Sequence, residues 1–286
     1  MLINFYIDSN ITLIGSFIAI ETLKNHPLVD KSYVLERNYF NMYKAIKSLG
    51  EYDIFLSFRG SIRSKLMKFF VLSERKYQFD KSKFVKSHQV EKYNNFVNDS
   101  LQIKTITSKL VLHTKKKNEK NSNKLLGINP GASYGSAKRW YPKEFAKVAI
   151  DLSDQYDIII FGGPGEIDIA SDIEKYLIKS GIKNYQNLAS KTSITELMSL
   201  VSGLALFITG DSGPMHLAAA FQIPTITIFG PTNDQETSQW MNEKSVIVKK
   251  DLKCQPCMKR ICPLKHHNCM KEIKAKDILT EVKRLN

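Results

Sequence analysis

From residue 125 onward, short runs of apolar residues alternate with longer segments whose apolar positions fall every three or four residues. Leu125–Asn129, Asp157–Phe161, Ala205–Ile208 and Thr225–Phe229 are continuously apolar or nearly so, and each ends in a turn rich in Gly, Pro or Asp. Between them, Pro142–Gln155 carries Phe145, Val148, Ala149 and Leu152 at helical spacing, with proline in the first turn. Glu166–Lys179 reads as a helix closed by Gly181, Ile194–Val201 as a short helix capped by Thr192 or Ser193, and Pro214–Phe221 as a third. Strands apolar on both faces and separated by helices predict a parallel sheet covered on both sides. In such sheets ligands gather at the carboxyl ends of the strands.

The first half is less regular. Leu2–Ile7, Thr12–Ile14, Tyr33–Leu35 and Asp53–Ser57 are strand-like, with helices over Phe17–Lys24 and Tyr39–Leu49. The polar run KKKNEKNSNK, ending at Lys124, reads as a linker, and the amphipathic segment Ile273–Leu285 as a last helix. A chain of 286 residues has room for two ordinary domains, and 43% hydrophobic with 24% charged residues is a globular composition. No apolar run reaches the roughly 18–20 residues that span a bilayer. The N-terminus lacks a secretory signal pattern, so the expected compartment is the cytoplasm.

The formal net charge of +14 is uneven. Residues 1–124 hold 22 Lys+Arg against 11 Asp+Glu, and residues 125–286 hold 20 against 17. A basic first half fits an anionic partner: nucleic acid, lipid headgroups or a phosphorylated substrate. Scattered solubilising lysine is the plainer account.

Four loops leave the carboxyl ends of the predicted strands: Pro130–Trp140, Gly162–Glu166, Gly210–His216 and Gly230–Asp234. All meet on one rim. PGASYGSAKRW frees backbone amides through its small residues and adds Lys138 as a point charge for phosphate. It is no P-loop, because GxxxxGK[ST] is absent. GGPGEID lacks the third glycine of a dinucleotide fingerprint. Its Glu166 is explained equally by a favourable acid at a helix start and by a ribose-hydroxyl acceptor. TGDSGPMHLAAA, residues 209–220, taken alone is an ordinary strand-to-helix loop with Asp211 or Ser212 as N-cap. Its place on the rim favours an anionic or polar ligand instead.

PGASYGSAKRWYPKEF, FGGPGE, NLASKTSITEL, TGDSGPMHLAAA and TIFGPTN, in that order and spacing, resemble the donor-binding half of the lipopolysaccharide heptosyltransferases, glycosyltransferase family 9. CQPCMKRICPLKHHNCMKEI resembles the heptosyltransferase II branch, and GSFIAIETLKNHP and SFRGSIRSKL are similar to acceptor-domain segments. The resemblance implies an α/β GT-B fold, two Rossmann-like domains with parallel sheets facing across a cleft. It implies an acceptor domain over 1–115, a linker over 116–124 and a donor domain over 125–272. The helix over 273–286 would pack back on the first domain. It further implies inverting, metal-independent transfer from ADP-L-glycero-D-manno-heptose to a heptosylated Kdo-lipid A core. Ser133 and Lys138 would hold the diphosphate and Glu166 the ribose or adenosine. Asp211, Ser212, Gly213 and His216 would bind the heptose and phosphates.

Members of the family open with a strand, a Gly-Asp loop and a helix, the aspartate being the expected general base. Here MLINFYIDSNITLIGSF matches the second strand region, and Asp8 lacks the matching context, so the base stays unassigned. The favoured expectation is a chain short by one βα unit, roughly 25–35 residues; the other is a different base. Without the base, a non-catalytic nucleotide-sugar-binding remnant is the first alternative function. Arg59, Ser61, Arg63 and Lys65 around a strand end suit the carboxylates and phosphates of an anionic acceptor at the inner membrane surface, the alternative being an exposed basic helix start. Cys254, Cys257, Cys262 and Cys269 are spaced C-x2-C-x4-C-x6-C. Tetrahedral structural zinc and reduced, unligated thiols are equally open, and catalysis is expected to need no cofactor. A zinc-stabilised basic nucleic-acid binder is the second alternative. Aromatics interleaved with base-reading residues are missing, so nucleic acid is not expected as a partner.

Overall fold

The computed structural model describes residues 9–36, 38–84, 87–114 and 123–285. The expected strand Leu2–Ile7, Asp8 and most of the linker over 116–124 lie outside the described residues. The chain divides into two compact units, Met1–Ser108 and Lys109–Asn286.

In the first unit β1 (Ile11–Gly15) pairs in parallel with β2 (Val29–Val34) across α1 (Phe17–Leu23). After α2 (Tyr39–Lys47), β3 (Glu51–Ser57) pairs in parallel with β4 (Leu72–Gln78) across α3 (Ile62–Phe70). α4 (Gln89–Leu101) follows. Met42, Ile46, Met67 and Val71 form one small core, and Phe79, Phe96, Val97 and Leu101 another.

The second unit holds β5 (Lys124–Asn129), α5 (Pro142–Leu152), β6 (Tyr156–Ile160), α6 (Ile167–Lys179), β7 (Tyr185–Asn187) and α7 (Ile194–Ser202). It continues with β8 (Leu206–Gly210), α8 (Gly213–Ala220), β9 (Thr225–Ile228), α9 (Asp234–Thr237), β10 (Ser245–Val248), α10 (Asn268–Lys271) and α11 (Ala275–Leu285). Its six strands form one parallel sheet ordered β7-β6-β5-β8-β9-β10, the doubly wound arrangement that reverses direction between β5 and β8. Side chains alternate across the sheet. Ile128, Ile158, Ile160, Ile208 and Ile228 pack with Phe145 and Val148 of α5, Ile173 of α6 and Ile278 of α11. Ile159, Phe161 and Phe207 pack on the other face with Val201 of α7 and Ala218 of α8. Gly127 in mid-strand makes room for this second layer, because a β-carbon there would stand 2.7 Å from the Phe207 ring.

α11 is bound to the second unit through α5. The Trp140 indole N–H donates to the Ile273 carbonyl at 3.0 Å, and the Ala275 N–H donates to Glu144 Oε2 at 2.8 Å. Glu144 also accepts from Lys147 at 2.8 Å. Burial raises the Glu144 pKa, but the Lys147 hydrogen bond, the Ala275 N–H and the charges of Lys147 and Lys274 outweigh it, holding the carboxyl below its ordinary 4.5. A carboxyl depressed in the folded state stabilises above its unfolded pKa and loses that contribution as pH falls through the folded one. Melting temperature should therefore decline as pH drops from about 5 to 3, and Glu144→Gln should flatten that limb. Melts across that window check it; equal slopes for both proteins would refute the role.

Candidate functional site

The fully buried strands β8 and β9 and the largely buried β5 and β6 end in loops on one side of the second sheet, and most of the residues singled out in the sequence sit there. The loop after β5 runs through Ser133, exposed, and Tyr134 to a 3-10 turn, Ser136–Lys138. The Lys138 ammonium reaches across to the loop after β8, 2.5 Å from Asp211 Oδ2 and 3.1 Å from the Asp211 carbonyl. Both side chains are nearly buried, 11% and 6% exposed. Thr232, in the loop after β9, donates its hydroxyl to the same Asp211 oxygen at 2.6 Å. Three loops thus converge on one carboxylate, and a buried carboxylate with a buried ammonium and a hydroxyl is satisfied as a set.

Beside this pair, Asn129 at the end of β5 donates to Thr209 Oγ1 at 3.2 Å and to Ser212 Oγ at 3.1 Å. Ser212 is the N-cap of α8, but its hydroxyl makes no capping bond. Gly213 is exposed and His216 half-buried in the first turn of α8. Glu166 accepts from the Gly163 N–H at 2.7 Å, and its carboxyl lies against Gly131, where a β-carbon would overlap it. Glu166 thereby packs the second loop against the first.

Arg59, Ser61, Arg63 and Lys65 gather where β3 passes into α3. Ser61 is the N-cap of α3, accepting from the Ser64 N–H at 3.2 Å. Arg63 donates to the Glu36 carbonyl and lies 3.4 Å from Met42 Sδ. The Arg59 carbonyl takes hydrogen bonds from Ser57, Ser64 and Gln78. Arg59 and Lys65 are exposed, so two of the four side chains serve local structure.

The four cysteines are free thiols lining one cavity of about 20 Å³ with His266 and His267. Burial, followed by the charges of Cys262, Cys257 and Cys254, pushes the Cys269 thiol up to about 11. Among the described residues no group of three or more His, Cys, Asp or Glu side chains is arranged to hold a metal ion. Cys254, Cys257, Cys262 and Cys269 face one small cavity, and Cys269 also packs within the core of the second unit.

Asn129, Thr232 and Tyr134 are site residues that sequence reasoning passed over. Thr232 had a signal, a lone hydroxyl at the mouth of a wholly buried strand; Asn129 and Tyr134 had none beyond position.

A family model described as "Glycosyltransferase family 9 (heptosyltransferase)" matches residues 42–268. The chain is 41% identical to lipooligosaccharide heptosyltransferase 2 of Campylobacter jejuni subsp. jejuni serotype O:2, over 97% of this chain and 89% of that protein. It is 31% identical to lipopolysaccharide heptosyltransferase 2 of Escherichia coli K12 over 43% of this chain and 36% of that one. Among solved structures, the family 9 glycosyl transferase of Veillonella parvula superposes with a TM-score of 0.84 at 17% identity, covering 99% of this chain and 90% of that one. The E. coli ADP-heptose lps heptosyltransferase II superposes at 0.81 and 20% identity, covering 99% and 91%. At these identities the two structures speak for the fold.

Proposed function

The chain belongs to glycosyltransferase family 9, with the GT-B fold of the solved heptosyltransferases, and from that premise we propose that it transfers heptose from ADP-L-glycero-D-manno-heptose to the heptosylated inner core of lipopolysaccharide. The observation that carries the reading is the nearly buried Lys138 ammonium fixed at the carboxyl ends of β5 and β8. In the reaction an acceptor hydroxyl oxygen attacks the anomeric carbon from the side opposite the diphosphate, inverting it; the C–O bond to the diphosphate breaks, and the hydroxyl proton passes to a base. Negative charge grows on the leaving ADP, and a preoriented cation beside amide donors of α8 lowers that barrier. With Lys138 in this place, transfer proceeds without a metal, and full activity in chelator is expected.

Ser133, Ser212 and Gly213 would complete a diphosphate cradle, with Glu166 for the ribose and His216 for the heptose. Asp211 takes a further task, orienting Lys138. No helix among the described residues is long and apolar enough to cross a membrane. Exposed Ile62 and Phe69 beside Arg63 and Lys65 on α3 support peripheral contact with an anionic bilayer surface, where a lipid A-linked acceptor resides.

Purified protein should add one heptose to a heptosylated Kdo-lipid A from ADP-heptose, read as a mass increment, with the new linkage inverted by NMR. Tight ADP-heptose binding without any transfer would instead identify a binding protein, and no binding would refute the reading.

A further inference from the structure

The loop that carries Lys138 is gripped by the cysteine-rich segment from the opposite side. Tyr134 donates its hydroxyl to the Met258 carbonyl at 2.8 Å, and its ring lies under both Lys138 Nζ, at 4.9 Å, and the Arg260 guanidinium, at 5.3 Å. Gly135 abuts the Arg260 backbone, where a β-carbon would overlap the carbonyl. Ala137, buried and directly before Lys138, donates its N–H to the Arg260 carbonyl at 3.0 Å. Its own carbonyl meets His267 Nε2 at 2.9 Å. The other ring nitrogen, Nδ1, lies 3.1 Å from the Tyr141 hydroxyl.

A carbonyl only accepts, so Nε2 carries a proton, and in neutral His267 Nδ1 accepts from Tyr141. One imidazole therefore ties both ends of the Ala137–Tyr141 stretch. His267 is held for this in the left-handed region, φ 54°, at the start of α10. The left-handed region is uncommon for non-glycine residues, with histidine among those that adopt it more readily.

We propose that His267 is a positioning residue for donor binding: it fixes the Ala137 carbonyl and so the reach of Lys138 toward the diphosphate. The inference rests on the donor-site reading above. Steady-state kinetics and ADP calorimetry on the full chain test it. His267→Ala should raise the donor KM and the ADP Kd about tenfold and leave the acceptor KM unchanged. His267→Gln, which restores an N–H donor at the Nε2 position, should recover most of the loss. Glutamine accepts this backbone, since Gln102 and Gln222 both adopt φ 55° in this chain. Should the alanine variant fail to fold, Tyr141→Phe removes only the Nδ1 partner and should raise the same two constants about threefold. A purely structural histidine would lower the melting temperature and the active fraction with the donor constants unmoved, and that result overturns the inference. Wild-type protein that fails to bind ADP overturns the donor-site reading and this inference with it, a different outcome from wild-type binding with unaltered variants.

Discussion

Lys138→Ala should lower kcat/KM for heptosyl transfer by about 10²–10³-fold, the usual loss when one preoriented group facing developing negative charge is removed. The size of the effect follows from how firmly the ammonium is held. It makes two contacts to Asp211, at 2.5 and 3.1 Å, and lies 4.9 Å from the centre of the Tyr134 ring. The loss should appear in kcat as well as in donor KM, because the ADP product carries more charge than the bound donor. Binding of ADP-heptose and turnover at saturating acceptor separate the two. Near-normal turnover in a folded variant would remove Lys138 from the chemistry.

Asp211→Ala should produce the largest loss of stability of any single change at the site. It leaves the Lys138 ammonium, 11% exposed, with one carbonyl, and the Thr232 hydroxyl without its acceptor. Breaking a buried pair from one side costs about 3–5 kcal/mol, which in a unit of this size is on the order of 10 °C in Tm. The double variant Lys138→Ala with Asp211→Ala should be less destabilised than the sum of the singles, since neither charge is then left alone. Additive losses would show that the two groups do not depend on each other. Donor affinity should fall in Asp211→Ala even though the lysine remains, because nothing then orients it.

Much of the second unit was legible because its physics is local. Continuous apolar runs announced β5, β6, β8 and β9, and Ser193 with Glu196 forms the capping box that starts α7. β7 and β10 escaped notice as three- and four-residue edge strands, too short and too half-buried for a pattern. α3 was anticipated only as the alternative reading of Arg59–Lys65, a basic helix start, and Ser61 caps it. At the site, Lys138 and Asp211 were each legible as residues on a rim. Their pairing was not, because they lie 73 residues apart and only the β5–β8 neighbourhood joins them. The brace from the cysteine-rich segment was harder still to foresee. It works through the carbonyls of Met258 and Arg260, and a backbone oxygen leaves no mark in a sequence.

The sheet's reversal between β5 and β8 also sets an order of events during folding. β5-β6-β7 and β8-β9-β10 each join strands that follow one another along the chain, so either half can assemble early. The seam between them closes a loop from Leu126 to Leu206 and comes late, since distant pairings bear the loop-closure entropy first. The Lys138–Asp211 pair spans that seam. On the proposed donor site a half-assembled chain would have no place for a nucleotide, so ADP at about a hundred times its Kd should add about 2.7 kcal/mol to the finished state and nothing to what precedes it.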